Sequence, residues 1–449
     1  MKRKICDFLR NWYSDAKRKP LVMRGARQVG KTWLARNLAE ELQLDLVEVN
    51  AERDFELIEI FRNTKVKECF RQLEIFVGKK LDPSKTLLFF DEVQAAPFVI
   101  PNLRWFYEDF PELAVIATGS LLDFVLEDHD FSMPVGRISY CHVEPMSFVE
   151  FLWANGEDLL ADEMACALES HEIAPILHKK LNSLFYEYTV VGGLPAVVEA
   201  WTENHDDTER CRLQNDIIQN YNDDFNKYRK RINVEPLRQT WLSVASQLGS
   251  RFMYSHINSS VRQPQLKECL RLLTLARLCN KVCHTAANGI PLGAEAKEEI
   301  FKCVFIDTGL ALNALGLRPI TDVNFENALW ANKGALAEQI AGMLMRTGAS
   351  PQKSELFYWQ QLGSNNAEID YLIQDNGVIV PIEVKAGKSG SMKSLHQFML
   401  GKKLKRAIRF DSNAPSVQEL SVKTPAGEPV EYTLFSYPLY MAELVVRLG

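Results

Sequence analysis

The sequence predicts an α/β protein, and three observations carry that prediction. Short apolar runs alternate with helical stretches through the first third of the chain. The first of these runs leads directly into a glycine-rich loop ending in Lys-Thr. Mixed strand-like and helical patterning then returns after residue 330. At 449 residues the chain exceeds one ordinary core, so two to four domains are expected.

The runs justify the prediction in order. LVMR (21–24), DLVEVN (45–50), TLLFFD (86–91), LAVIATGS (113–120) and RISYCHVEP (137–145) read as strands. Their continuous apolar character suits a parallel sheet covered on both faces. From Phe148 to Tyr228 the pattern is helical and acidic, broken by VVGGLPAVV (190–198), whose Gly-Gly-x-Pro marks a tight bend. Charge flips sign over 223–232, an expected boundary. Residues 235–310 read as three helices, the last LKECLRLLTLARL (266–278), then two strands, KVCHTA (281–286) and KCVFID (302–307), around the Gly289–Gly293 loop. That is a winged-helix pattern. A helix over 334–347, strands over 355–361, 367–374 and 378–386, a helix near 391–403 and a strand over 405–411 complete the chain.

Composition bounds the chemistry. Hydrophobic residues make up 47% and charged residues 24%, a soluble globular profile, and a net charge of -6 gives no global reason for nucleic-acid binding. Nine cysteines without framework spacing point to a reducing, cytoplasmic setting. Cys279, Cys283 and His284 lack a fourth zinc ligand nearby and read as buried groups on one helical face. The basic N-terminus is followed by no apolar core of a secretory signal. The longest uncharged apolar stretch, near Leu113 to Leu122, is shorter than the ~18 residues of a membrane span.

Residues Gly25-Ala26-Arg27-Gln28-Val29-Gly30-Lys31-Thr32 fit G-x-x-x-x-G-K-[ST], with Trp33 opening the helix that follows. Glycines let backbone N–H groups wrap a phosphate, and the helix N-terminus adds a favourable dipole. Lys31 would neutralise the β- and γ-phosphates of ATP, and the Thr32 hydroxyl would ligate Mg²⁺. A chance match in a chain this long is roughly a one or two per cent event, and the strand before and helix after lower it further. Asp91 and Glu92, at the end of TLLFFDE, supply the second half of such a site. The Asp would orient a metal-bound water and the Glu would polarise the attacking water. Thr118 and Ser120, at the end of the next strand, are both candidates for a polar group near the γ-phosphate. Arg137 is the candidate for stabilising charge on the transferred phosphoryl group; its alternative is a plain surface arginine. Action in trans would require oligomers; action in cis would not.

With these motifs the chain resembles a large family of prokaryotic AAA-type ATPases with a C-terminal domain of unassigned function. The resemblance lies in GARQVGKT (25–32), LLFFDEVQ (87–94), ATGS (117–120), VGR (135–137), EPMSFVEF (144–151) and GGLP (192–195). It continues through FIDTGL (305–310), GALAEQ (334–339), EIDYLI (368–373) and PIEVKAG (381–387). It implies a P-loop AAA-type core over 1–147, a helical lid over 148–232, a winged-helix segment over 233–318 and a restriction-endonuclease-like α/β domain over 319–449. It supplies no substrate.

In the last segment Glu338, Asp370, Glu383 and Lys385 are similar to the E…D…E-x-K arrangement of PD-(D/E)XK nucleases. Glu383 and Lys385, two apart on a strand, share a face. Asp370 and Glu383 would hold Mg²⁺ through hard oxygen ligands, Glu338 is a further candidate metal ligand, and Lys385 would orient a water. A structural ion pair is the alternative, but charges in an apolar strand need a reason. Arg262, Lys267, Arg271 and Lys281 would supply duplex contact from the winged helix, or else form a protein-packing surface. Two functions are therefore expected: an ATPase controlling a DNA-directed nuclease-like module, or a nucleotide-dependent switch whose C-terminal domain binds an unidentified protein partner or nucleic acid.

Overall fold

The computed structural model describes residues 1–63, 65–119, 134, 136–228, 232–317, 333–352, 355–361, 367–387 and 391–446. The chain divides into two compact units. The N-terminal unit is Lys2–Glu144 with Leu275–Arg277; the C-terminal unit is Pro145–Thr274 and Leu278–Gly449, with Met1.

In the N-terminal unit the expected runs form β1 (Leu21–Arg24), β2 (Asp45–Asn50), β3 (Thr86–Asp91), β4 (Ala114–Thr118) and β5 (Ser139–His142). They pair in parallel in the order β2-β3-β4-β1-β5. Both β3 and β4 are buried along their whole length, which is why their sequences show no polar alternation. Helices α1 (Ile5–Ser14), α2 (Lys31–Glu41), α3 (Phe55–Asn63), α4 (Val66–Val77) and α5 (Val99–Asp109) complete the unit. Val49, Phe61, Leu73, Phe90, Phe106 and Val115 belong to one core, with Phe61 edge-on to Phe90 at 4.9 Å. Each such side chain contributes about 2–3 kcal/mol through burial. The strand order places β4 between β1 and β3, so the glycine-rich loop after β1, Thr118 and Asp91 gather at the carboxyl ends of the parallel strands.

The C-terminal unit begins with α6 (Phe148–Ala154), α7 (Asp158–Ser170), α8 (Pro175–Val191), α9 (Pro195–Asn204) and α10 (Asp207–Asp224). A capping box starts α6: Ser147 accepts from Glu150 N and the Glu150 carboxylate accepts from Ser147 N. These helices, expected as a lid over 148–232, belong to the C-terminal compact unit. Phe148 and Phe185 pack on Tyr440, and Val149 N donates to the Glu443 carboxylate at 2.7 Å. The two glycines of GGLP separate α8 from α9, as their pattern requires. A Cβ on Gly193 would collide with the Met146 carbonyl. Gly193 O accepts from Met146 N at 2.6 Å, and Gly193 N donates to Asp307 Oδ2 at 2.7 Å.

Next come α11 (Val234–Ser246), α12 (Gln263–Leu275), β6 (Cys279–Thr285), β7 (Ala296–Phe305) and α13 (Thr308–Ala314). A single 3₁₀ turn, Tyr254–His256, stands where the middle of three helices was expected. Cys279, Cys283 and His284 lie on β6 and not on a helical face, because Arg277 adopts a left-handed φ of 58° and closes the helix before them.

The hairpin of β6 and β7 is antiparallel, as the wing pattern required, yet it does not end a separate domain. It continues into β8 (Phe357–Gln360), β9 (Glu368–Asp375), β10 (Val378–Val384), β11 (Arg406–Asp411), β12 (Ser416–Lys423) and β13 (Pro429–Pro438). The eight strands form one sheet ordered β12-β13-β11-β10-β9-β8-β6-β7. The expected boundaries at 232/233 and 318/319 are thus not divisions between compact units. Helix α14 (Lys333–Gly348) carries the buried Ile340 and Leu344, and α15 (Lys393–Lys402) sets Leu395, Phe398 and Met399 in a core with Ile369, Leu372 and Leu434. A short α16 (Ala442–Val445) ends the described chain. No helix among the described residues is long and apolar enough to cross a membrane.

Candidate functional site

The loop between β1 and α2 is held by backbone geometry that its glycines allow. Gly25 has φ 153° and faces the Val143 carbonyl so closely that a Cβ would strike it; Gly30, at φ 94°, is the N-cap of α2. Gln28 also has positive φ, 65°. Val29 and Ala26 are buried, while Trp33 is 39% exposed on the first turn of α2. Arg27 reaches Glu52 at 3.9 Å. Arg3, absent from the sequence expectations, braces the loop: it is buried and donates to Val29 O at 3.0 Å and Glu144 O at 2.9 Å. The basic N-terminal tetrapeptide was its only signal.

Lys31 is buried, and its Nζ donates to the carbonyls of Gly25 (3.0 Å) and Ala26 (2.7 Å). Burial pushes its ammonium down to about 8, opposed by the charges of Glu92 and Asp91. Asp91, at the end of β3, is met by groups from α2, from the residue after β3 and from β4. Its Oδ2 accepts from Thr32 Oγ1 at 2.9 Å, and its Oδ1 accepts from Glu92 N at 3.0 Å and from the Thr118 hydroxyl. Glu92 has a left-handed φ of 52° and accepts from the Gln94 side chain. Of the two candidates for a polar group near the γ-phosphate, Thr118 is in contact with Asp91; Ser120 lies outside the described residues. Arg137 is paired with Glu108 at 3.0 Å and lies near the Tyr107 ring, 45% exposed, with no bond to Lys31, Asp91 or Glu92 among the described residues. Oxygen ligands in contact, with a buried ammonium beside them, fit Mg²⁺ and a phosphate chain.

The C-terminal unit gathers a second set of charges. Glu338 projects from α14, Asp370 from β9, Glu383 from β10, and Lys385 follows β10. Asp370 Oδ2 accepts from Val384 N at 2.7 Å, and Lys385 Nζ is bonded to Glu383 Oε1. Glu383 Oε2 is buried and has no hydrogen-bond partner among the described residues. Burial and the Asp370 charge push the Glu383 carboxyl up to about 7, with Lys385 opposing, and the Glu338 carboxyl up to about 8, with Lys302 opposing. An orphaned carboxylate oxygen and an excess of negative charge fit a divalent cation at Asp370 and Glu383.

Two members of this cluster escaped the sequence expectations. Lys302, on β7, is 4% exposed at its side chain and bonds Glu338 Oε2 at 2.7 Å and Glu368 Oε1, with Asp370 Oδ1 at 3.8 Å. Glu368 precedes Asp370 by two residues on β9 and so shares its face. One ligand oxygen each of Glu338, Glu368 and Asp370 lies within 4.8 Å of the others. The available signal was a lysine inside the apolar run of KCVFID and a second acid at even spacing in AEID.

A cavity of about 260 Å³ opens beside Lys385, lined by Lys333, Asp411, Phe185, Tyr186 and Leu336. Around the hairpin of β6 and β7, Lys267, Arg271 and Lys281 line a larger cavity of about 930 Å³ together with Arg251, Glu298 and Glu299. Arg262 is exposed but does not line it. Arg271 is paired with Glu268 at 2.7 Å, and Lys281 sits 4.7 Å over the Phe301 ring.

Comparison with known proteins assigns residues 17–152 to an AAA domain. Residues 182–321 and 333–418 match two domains of unknown function, DUF8612 and DUF4143. No curated protein matches the chain. Among solved structures, C. elegans PCH-2 is 14% identical over 38% of this chain and 48% of its own, with a TM-score of 0.23. The chain thus spans about half the length of that protein (48%). The Aeropyrum pernix ORC2 protein, in ADPNP-ADP complexes, is 12% identical over 73% of this chain and 94% of its own, with a TM-score of 0.34. The N-terminal unit is an AAA-type, ATPase-like core.

Proposed function

We propose that the chain binds and hydrolyses Mg-ATP in its N-terminal unit, and that nucleotide state controls a nuclease-like, DNA-directed module in its C-terminal unit. The observation that carries the first half is the convergence of Thr32, Glu92 and Thr118 on Asp91, beside the buried Lys31. Thr32 and Asp91 would hold Mg²⁺, which when bound supplies charge neutralisation on the phosphates. Loop amides from Gly25 to Thr32 cradle the phosphate chain, and Lys31 offsets its charge. Glu92 takes a proton from the attacking water. Thr118 keeps Asp91 oriented.

The second half is supported by the unpartnered Glu383 Oε2 beside Asp370, with Lys385 at the mouth of a cavity. Asp370 and Glu383 would hold a divalent ion, and Lys385 would orient a water and offset charge on a scissile phosphate. Cleavage of supercoiled and linear DNA with Mg²⁺ or Mn²⁺, with and without ATP, tests this. Wild type should cleave and Lys385→Ala should not; equal cleavage by both removes Lys385 from the reaction.

A second reading is favoured by Lys302, whose ammonium already balances part of the acidic cluster. On that reading ATP gates assembly with a partner protein, and the C-terminal unit binds without cleaving. Turnover of ATP stimulated by DNA supports the first reading; stimulation by a partner alone, with no DNA effect and no cleavage, supports the second.

A further inference from the structure

Three carboxylates meet within the C-terminal unit, from α14 and β9, and a lysine from β7 is inserted among them. Glu338, Glu368 and Asp370 present oxygens within 4.8 Å of one another, the spacing of a divalent-cation site. Lys302 Nζ, however, lies 2.7 Å from Glu338 Oε2, in contact with Glu368 Oε1 and 3.8 Å from Asp370 Oδ1. An ion between these oxygens would have to share the space of the ammonium and be repelled by it. The Lys302 side chain is 4% exposed. Its neighbours Phe301, Cys303, Val304 and Phe305 are buried, and the Tyr358 ring lies 5.4 Å from Nζ.

We propose that Lys302 is a built-in cation that fills the Glu338–Glu368–Asp370 cluster and excludes a divalent ion from it, so that the C-terminal unit takes a metal only on the Asp370–Glu383 side. The second clause rests on the proposed metal role of Asp370 and Glu383; the first does not. The lysine therefore limits the unit to a single divalent ion.

The test is a Mn²⁺ titration of the full chain without nucleotide, read by electron paramagnetic resonance, comparing wild type with Lys302→Met. Any ion held at Thr32 and Asp91 is common to both and cancels. Lys302→Met should bind one additional Mn²⁺ per chain, and that ion should be lost again when Glu338→Gln and Glu368→Gln are added. Because removal of the ammonium leaves buried carboxylates unpaired, thermal unfolding supplies a second readout. Mn²⁺ should raise the apparent Tm of Lys302→Met by several degrees more than that of wild type, or restore folding if the variant folds only with metal. Equal ion counts and equal Mn²⁺-induced shifts in wild type and a folded Lys302→Met, or a variant that stays unfolded with Mn²⁺, overturn the proposal. Failure of the underlying reading is seen separately: Glu383→Gln would then bind as many ions as wild type, while the gain in Lys302→Met persists.

Discussion

At the glycine-rich loop a single carboxylate, Asp91, is met by two hydroxyls and a backbone amide; in the C-terminal sheet three carboxylates are met by one ammonium. The first arrangement uses neutral donors, which orient the acid without cancelling its charge. Its cation, Lys31, is bonded to backbone carbonyls and not to the acid. The second arrangement spends its cation internally, so its charge is partly balanced before any ligand arrives. The two clusters thus differ in what meets the carboxylate: neutral donors leave the charge of Asp91 uncancelled, whereas the Lys302 ammonium offsets part of the charge of Glu338, Glu368 and Asp370.

The largest test of this contrast is Lys31→Ala. If Lys31 is the mobile charge of an exchanging site, ATP affinity and turnover should both fall by roughly two to three orders of magnitude, measured by nucleotide binding and phosphate release. An unchanged dissociation constant would move the nucleotide site elsewhere. Smaller and more selective, Glu92→Gln should retain ATP binding while turnover drops about a hundredfold. Normal turnover would transfer the role of base to another residue and leave Glu92 as the partner of Gln94 only.

A third buried acid sharpens the comparison, because it has neutral donors but no ligand role. Asp307 caps α13, accepts from Gly193 N and Leu310 N, and is pushed up to about 6 by burial, with those amides opposing. A raised carboxyl stabilises the fold fully below its unfolded value and loses that contribution as pH rises through the folded one. Between pH ~4 and ~6 the apparent Tm of wild type should therefore fall relative to Asp307→Asn. The difference should amount to at most roughly 3 kcal/mol, and flatten above that window. A pH-independent difference would mean that the amides, not burial, set its charge.

Much of the N-terminal unit was legible because its signals are local. Apolar runs of strand length and G-x-x-x-x-G-K-T depend on neighbours in the chain, and the strands fall where those runs lie. Edge elements were not legible. β12 has a largely exposed, polar sequence, and the register with β13 that makes it a strand is a non-local fact. The helices over 148–224 were legible as helices but not in their allegiance, since amphipathic faces state that they need a partner without naming it. The motifs EPMSF, GGLP and FIDTGL carried no chemistry in the sequence. Their residues Met146, Gly193 and Asp307 join in one hydrogen-bonded turn, a structural reason for their residue types.

The sequence by itself determined the α/β class, the parallel core of the N-terminal unit, and the position of its glycine-rich loop between β1 and α2. Period-two spacing also led to the expectation that Glu383 and Lys385 share a face. Only the tertiary structure decided that the hairpin of β6 and β7 joins the C-terminal sheet, and with it that Lys302 enters the acidic cluster from 36 residues before Glu338. The physical reason is range: backbone periodicity is written in adjacent residues, whereas the pairing of a buried charge is settled by whichever strand comes to lie beside it.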